Sequence, residues 1–163
     1  MPLLRRRPVP PAVKALELPP GARRLAWALT GQGDPVVATD DALLLPGGVR
    51  LPWELVERAG WQRPQLTVLE VAAVQGTGTR HVLDLVDEGD LPGIVHARVT
   101  SSVAWSTHCR LAPAGGVRLV GRRVAGVETL QWQLVYDRGT DVHDPLVRAQ
   151  AEELLHGARR TLG

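Results

Sequence analysis

The 163-residue chain reads as an α+β protein built on a strongly bent antiparallel sheet or small barrel, with one internal helix and a C-terminal helix. Three observations predict this class. Apolar residues alternate at period two through much of the chain, most clearly at Leu130, Trp132, Leu134 and Tyr136. The period lengthens to that of a helix in two places. Leu91, Ile94, Val95 and Val99 fall at i, i+3, i+4 and i+8, and Val147, Ala151, Leu154, Leu155, Ala158 and Leu162 form a second stripe. Turn signals rich in Gly, Pro and Asp separate the remaining apolar runs.

The elements follow in order. Residues 1–20 hold six prolines, which fix φ and remove donors, so an extended or disordered arm is expected. In the first strand, Leu25, Trp27 and Leu29 share one face and Ala26 and Ala28 the other. Residues 36–39 and 43–45 are short β runs around Asp40 and Asp41. The turn Pro46, Gly47, Gly48 leads to a partner strand at 49–51. Residues 52–61 are ambiguous between a strand and a helical turn, because Glu54, Glu57 and Arg58 interrupt either pattern. Residues 65–71 and 80–86 read as strands around a flexible hairpin loop at 75–78. Asp90 is the expected N-cap of the internal helix, with Pro92 in its first turn. Val103, Trp105, Thr107, Cys109 and Leu111 then share a strand face, and 117–124 follows after Ala114, Gly115 and Gly116. Asp144 caps the last helix and Pro145 opens it. This order, about six strands, a helix, three strands and a helix, is divided as an arm at 1–20 and a single domain at 21–163. The last helix is expected to dock on the preceding sheet with Leu154 and Leu155 central, Glu152 or Glu153 reaching Arg122 or Arg123.

Composition limits the function classes. Hydrophobic residues at 44% and charged residues at 22% are ordinary globular values, which exclude wholesale disorder. No uncharged stretch is long enough to span a bilayer as a helix, and Arg5, Arg6 and Arg7 run into prolines rather than a secretory apolar core. A lone cysteine suits a reducing, cytoplasmic setting. Arginines number 18 against one lysine, with no Asn, no Phe and one Ile, the codon bias of a high-G+C bacterium. The arginine excess therefore carries no nucleic-acid signal of its own. Residues 1–24 have a net charge of +5 and the rest −3, which disfavours a basic nucleic-acid-binding body.

One segment carries a resemblance. Val36, Val37, Ala38, Thr39, Asp40, Asp41, Ala42, Leu43, Leu44 and Leu45, a turn, and then Arg50, Leu51, Pro52, Trp53, Glu54, Leu55 and Val56 resemble bacterial pleckstrin-homology-like (PH-like) domains. There a Thr-Asp pair opens a tight hairpin, and a Pro-aromatic-acidic step leads into the next strand. The match covers roughly 22–102 and ends on a helix that would cap the barrel; 103–163 adds three strands and a helix. The whole chain also resembles a family of small actinobacterial proteins. The resemblance implies a non-enzymatic binding or scaffold module for a protein or peptide partner, with no catalytic residues and no cofactor to carry over.

No convergent catalytic set emerges from the residues. His108 and Cys109 are strand neighbours on opposite faces, so the imidazole is badly placed to activate the thiol, and Cys109 reads as a small core residue. Asp141, His143 and Asp144 offer metal-ligand types, but capping accounts for Asp144. Asp40–Asp41 and Asp87, Glu88 and Asp90 lie where turns favour acids. The segments 31–34 and 75–78 lack the context of a phosphate loop. With no Phe, the five tryptophans must supply bulky packing; Trp53 and Trp61, in the least regular stretch, are the candidate surface aromatics. Arg5, Arg6 and Arg7 are candidates for weak contact with an anionic surface or nucleic acid. A flavin-dependent split-barrel oxidoreductase is the alternative, from the faint likeness of residues 29–36 to the first hairpin of such enzymes. The basic and hydroxyl residues that would hold a flavin phosphate are missing after it.

Overall fold

A computed structural model of the chain describes residues 6–72 and 78–163. It opens with a one-turn helix, α1 (Pro11–Lys14). Strands β1 (Arg24–Leu29), β2 (Pro35–Thr39), β3 (Ala42–Leu45) and β4 (Val49–Pro52) form a four-stranded antiparallel sheet in sequence order. A 3-10 turn at Trp53–Leu55 leads into a second antiparallel sheet of β5 (Val56–Gln62), β6 (Gln65–Glu70) and β7 (Arg80–Asp84). Helix α2 (Leu91–Ser102) runs directly into β8 (Val103–Arg110). With β9 (Gly116–Arg123) and β10 (Leu130–Tyr136) that strand makes a third antiparallel sheet, followed by α3 (Pro145–Leu162). The class is α+β, with the internal and C-terminal helices in the expected places. The segment 52–61, ambiguous between strand and helical turn, resolves into the 3-10 turn and β5, so seven strands precede α2 rather than six.

The hairpin opened by Thr39 is held by side chains. Thr39 Oγ1 accepts from Ala42 N at 3.0 Å and lies 2.8 Å from Asp41 Oδ1, while Arg23 N donates to Asp40 Oδ1 at 2.9 Å. That backbone N–H holds the Asp40 carboxyl below its ordinary 3.8. Arg50 closes on Asp41 at 2.8 Å. Between β3 and β4, Gly47 and Gly48 both take positive φ, of 80° and 74°, a conformation that side chains with a Cβ resist. The first two sheets also touch at a corner: Val86 N donates to Leu29 O, and Gly31 N to Asp84 O, both at 3.0 Å.

The main core fills the space between these sheets and α2. Ala26, Ala28, Val36, Ala38, Leu43, Leu51 and Trp53 meet Val56, Leu66 and Val68 from the second sheet and Leu91, Val95 and Val99 from the helix. The small face of β1 thus points inward. Its large face, with Trp27 beside Val37 and Leu44, points outward and is covered by Val9, Val13, Leu16 and Leu18. An extended or disordered arm is expected at 1–20; among its described residues only Pro11–Lys14 are helical, and four apolar side chains supply this cover. Residues 6–20 dock, and Val13 is only 1% exposed. Water contact of such an apolar face costs about 25 cal/mol per Å², and proline-rich chain loses little entropy on docking, so cover is favoured. Asp90 departs from expectation, since its side chain caps nothing. Its backbone is helical (φ −89°, ψ 0°) rather than extended as a capping residue requires, and Pro92 removes one of the two N–H groups a cap would use. Asp144 behaves as expected, accepting from Leu146 N at 2.9 Å.

Arg122 of β9 joins the two parts of the chain. It is 4% exposed. Its guanidinium donates to Gln133 Oε1 (3.2 Å), Val99 O (3.1 Å), Ser102 Oγ (2.6 Å) and Glu57 O (2.9 Å). Gln133 in turn donates to Glu54 O at 2.7 Å. Burial pushes the Arg122 pKa down from its usual value, with Glu57 opposing. Arg123 donates to Ser101 O and Val103 O. The last turn of α2 carries no basic residue of its own. The two arginines therefore supply, from another element, the positive charge that a helix C-terminus favours. The expected pairing of Arg122 or Arg123 with Glu152 or Glu153 is not made.

Candidate functional site

The third sheet and α3 shape a concavity. Val147, Ala151, Leu155 and Ala158 of α3 pack on Leu111, Val117, Leu119, Leu134 and Tyr136. Two anchors set the helix in place. Gln150 exchanges hydrogen bonds with Ala112, donating at 2.7 Å and accepting at 2.9 Å, and Trp132 Nε1 donates to Gly163 O at 3.2 Å. Gly121 makes room for this, since a Cβ there would meet Leu130 at 2.9 Å and the Trp132 ring at 3.3 Å. Tyr136 lies under the helix, where burial and Glu152 push its hydroxyl pKa above 10.0.

The helix lies toward β9 and β10, and β8 is the far strand of the sheet. A groove of about 700 Å³ is left between them. Trp105, Thr107 and Cys109 of β8 form its floor with Leu119; Leu154, Gly157, Ala158, Thr161 and Leu162 form the helix wall. Trp105 is braced edge-on by Trp132, ring centroids 5.6 Å apart. Arg110, Glu153 and Arg160 stand around the groove without an ion pair among the described residues. Leu154 is 36% exposed and Leu162 43%. The expectation that Leu154 is central to docking is therefore corrected. The buried stripe runs through Val147, Ala151 and Leu155, which turns Leu154 onto the shoulder.

The face of β8 is also partly corrected. A register irregularity between Val103 and Trp105 places Val103 with Ser106, Val120 and Arg122 on the opposite side from Trp105, Thr107 and Cys109. An extra residue in one strand reverses the alternation before it. Cys109 does face α3, half-buried at the groove. His108 points away and bonds Asp137 Oδ2 at 2.7 Å, across Gly116. No hydroxyl or thiol among the described residues is hydrogen-bonded to His108. Sequence reasoning missed the pair because 29 residues separate its members.

The other candidate residues scatter. Trp53 is not a surface aromatic: it is buried in the main core and donates to Thr39 O at 3.0 Å. Its indole ties the turn between β4 and β5 to the end of β2. Trp61 is 36% exposed on β5 and is not among the residues that line the groove. Arg6 is exposed. Arg7 is committed within the chain: its guanidinium stacks 3.7 Å from the Trp27 ring centre and donates to Asp87 O at 2.8 Å. Arg5 lies outside the described residues, as do residues 75–77 of the expected hairpin loop. His143 N bonds the Asp141 carboxylate at 3.0 Å, a local turn contact. No described helix is long and apolar enough to cross a membrane. The groove itself was not anticipated. Its only sequence signal is that the apolar stripe of α3 is wider than one sheet contact requires.

No family model, no curated protein and no solved structure matches the chain.

Proposed function

We propose that this chain is a non-enzymatic, intracellular PH-like module that recognises a protein or peptide partner, and that the groove between β8 and α3 is where it does so. The PH-like part of the reading is supported by the order of residues 24–102: a four-stranded sheet, a three-stranded sheet, and a helix packed over the core they share. The contacts of Leu29 and Gly31 with Val86 and Asp84 bring the first and last of these strands toward one another, as a small barrel would require. The binding reading rests on one observation, the open apolar groove with Leu154 and Leu162 left in solvent at its wall. Exposed large apolar groups gathered around a concavity favour a partner over water. The arm is the weaker surface, since Arg7 is already held by Trp27 and Asp87. Capture from native extract, comparing the intact chain with a folded Leu154→Asp, Leu162→Asp variant, tests the reading. A partner retained by the first and lost by the second supports it. Identical retained sets, or loss only on altering Trp61 or Arg6, refute it.

A further inference from the structure

Resting on the reading of the groove as a protein-binding site, we infer that its occupant is an amphipathic helix of the partner, with carboxylates on its polar flanks. A helix about 10 Å across covers roughly two strands spaced about 4.8 Å apart. The third sheet has three strands and one helix on this face, and α3 takes β9 and β10. The row of Trp105, Thr107 and Cys109, half-buried at the margin of that contact, keeps its outer side for a second helix. A strand added to the edge of β8 would extend the sheet sideways and leave the trough above that row open; a helix lying beside α3 fills it. The wall admits close approach, because a Cβ on Gly157 would meet no described atom within 4 Å beyond its chain neighbours and the adjacent helix backbone. Helices pack at about 8–10 Å when small residues face one another.

The charges select the flanks of that helix. Arg110 stands beside the end of the groove where Gln150 clamps Ala112, and Arg160 lies ten residues further along α3, about 15 Å away along the axis. Neither is ion-paired among the described residues, and Glu153 is the one acid of the described lining. The groove is therefore cationic on a body that carries −3 outside residues 1–24. Complementary charge at a rim sets partner choice and encounter rate.

The probes are three synthetic peptides of about 18 residues, long enough to form helix on docking. All share a Leu stripe at i, i+3, i+4 and i+7: one flanked by Glu, one by Lys, and one Glu-flanked with a central Pro. Alkylation of Cys109, the only thiol of the full chain, reports occupancy. The Glu-flanked helix is expected to slow alkylation, with the Lys-flanked peptide binding about tenfold or more weakly. An Arg110→Glu, Arg160→Glu variant should reverse that order. Equal binding of the Glu and Lys peptides overturns the inference. Tighter binding of the Pro peptide overturns it in favour of an extended ligand and leaves the protein-binding reading standing. A concentration-dependent dimer that protects Cys109 and dissociates in Leu154→Asp overturns it in favour of a second copy. If no peptide slows alkylation and the capture experiment also shows no loss, the protein-binding reading falls with it.

Discussion

Replacing Arg122 with Met keeps most of the side-chain stem and removes every donor. Four hydrogen bonds are lost, to Gln133, Val99, Ser102 and Glu57, which lie on β10, α2 and β5. Each bond from a charged donor is worth about 1.5–3 kcal/mol, and each buried acceptor left unsatisfied costs about 1–3 kcal/mol. Against this stands the cost of burying a guanidinium whose partners are all neutral, the same desolvation that lowers its pKa. Taking half of the lost bonds as offset leaves a net destabilisation of about 3 kcal/mol. In a chain of this size that lowers the melting temperature by about 6–12 °C. Thermal melts followed by circular dichroism measure it, with Arg122→Lys expected in between because one ammonium cannot reach all four acceptors. Hydrogen exchange in β8–β10 should rise more than in β1–β4, since the bonds lost are those that tie the third sheet to the rest. A melting temperature within about 2 °C of the parent would refute the reasoning, showing that charge burial cancels the bonds in full.

Other expectations follow from the same structure. Leu154→Ala should cost under about 0.5–1 kcal/mol as a partly exposed position, whereas Leu119→Ala, in the buried contact under α3, should cost about 2–5 kcal/mol; chemical denaturation separates them. Arg7→Ala removes the stack on Trp27 and the bond to Asp87. Residues 6–20 should then be cut faster by protease, with a red-shifted tryptophan emission, at a docking cost of about 1 kcal/mol. Asp40 has a depressed pKa, so its stabilising contribution is present above 3.8 and is lost as pH falls through its folded value. Asp40→Asn should flatten that part of the acid limb when melting temperature is followed from about pH 5 to pH 2. An absorbance band near roughly 450 nm in the purified chain would argue for the flavin alternative and against a binding module.

What the sequence determined by itself was local. Leu130 to Tyr136 alternate because each strand residue reverses side, and the stripe from Val147 onward recurs at helical spacing; both elements form where their periods lie. Asp144 followed by Pro145 starts its helix because cap, acceptor and donor lie within three residues. The Thr39–Asp41 hairpin is legible for the same reason. Tertiary structure decided which side of each element is covered, and by what. Alternation marks Ala26 and Trp27 as facing opposite ways, but both faces of β1 are buried, one by the core and one by residues 6–20. Trp53 and Trp61 sit in one irregular stretch with similar neighbours, and only the turn onto Thr39 O makes the first a core residue. Arg122 looks like any strand arginine until Glu57, 65 positions away, is brought beside it. Leu154 belongs to an apolar stripe wider than the contact α3 makes, so the groove exists only once the third sheet is a strand broader than its helix. Periodicity encodes a side chain's direction relative to its own backbone, and contacts between distant elements depend on how those backbones are placed.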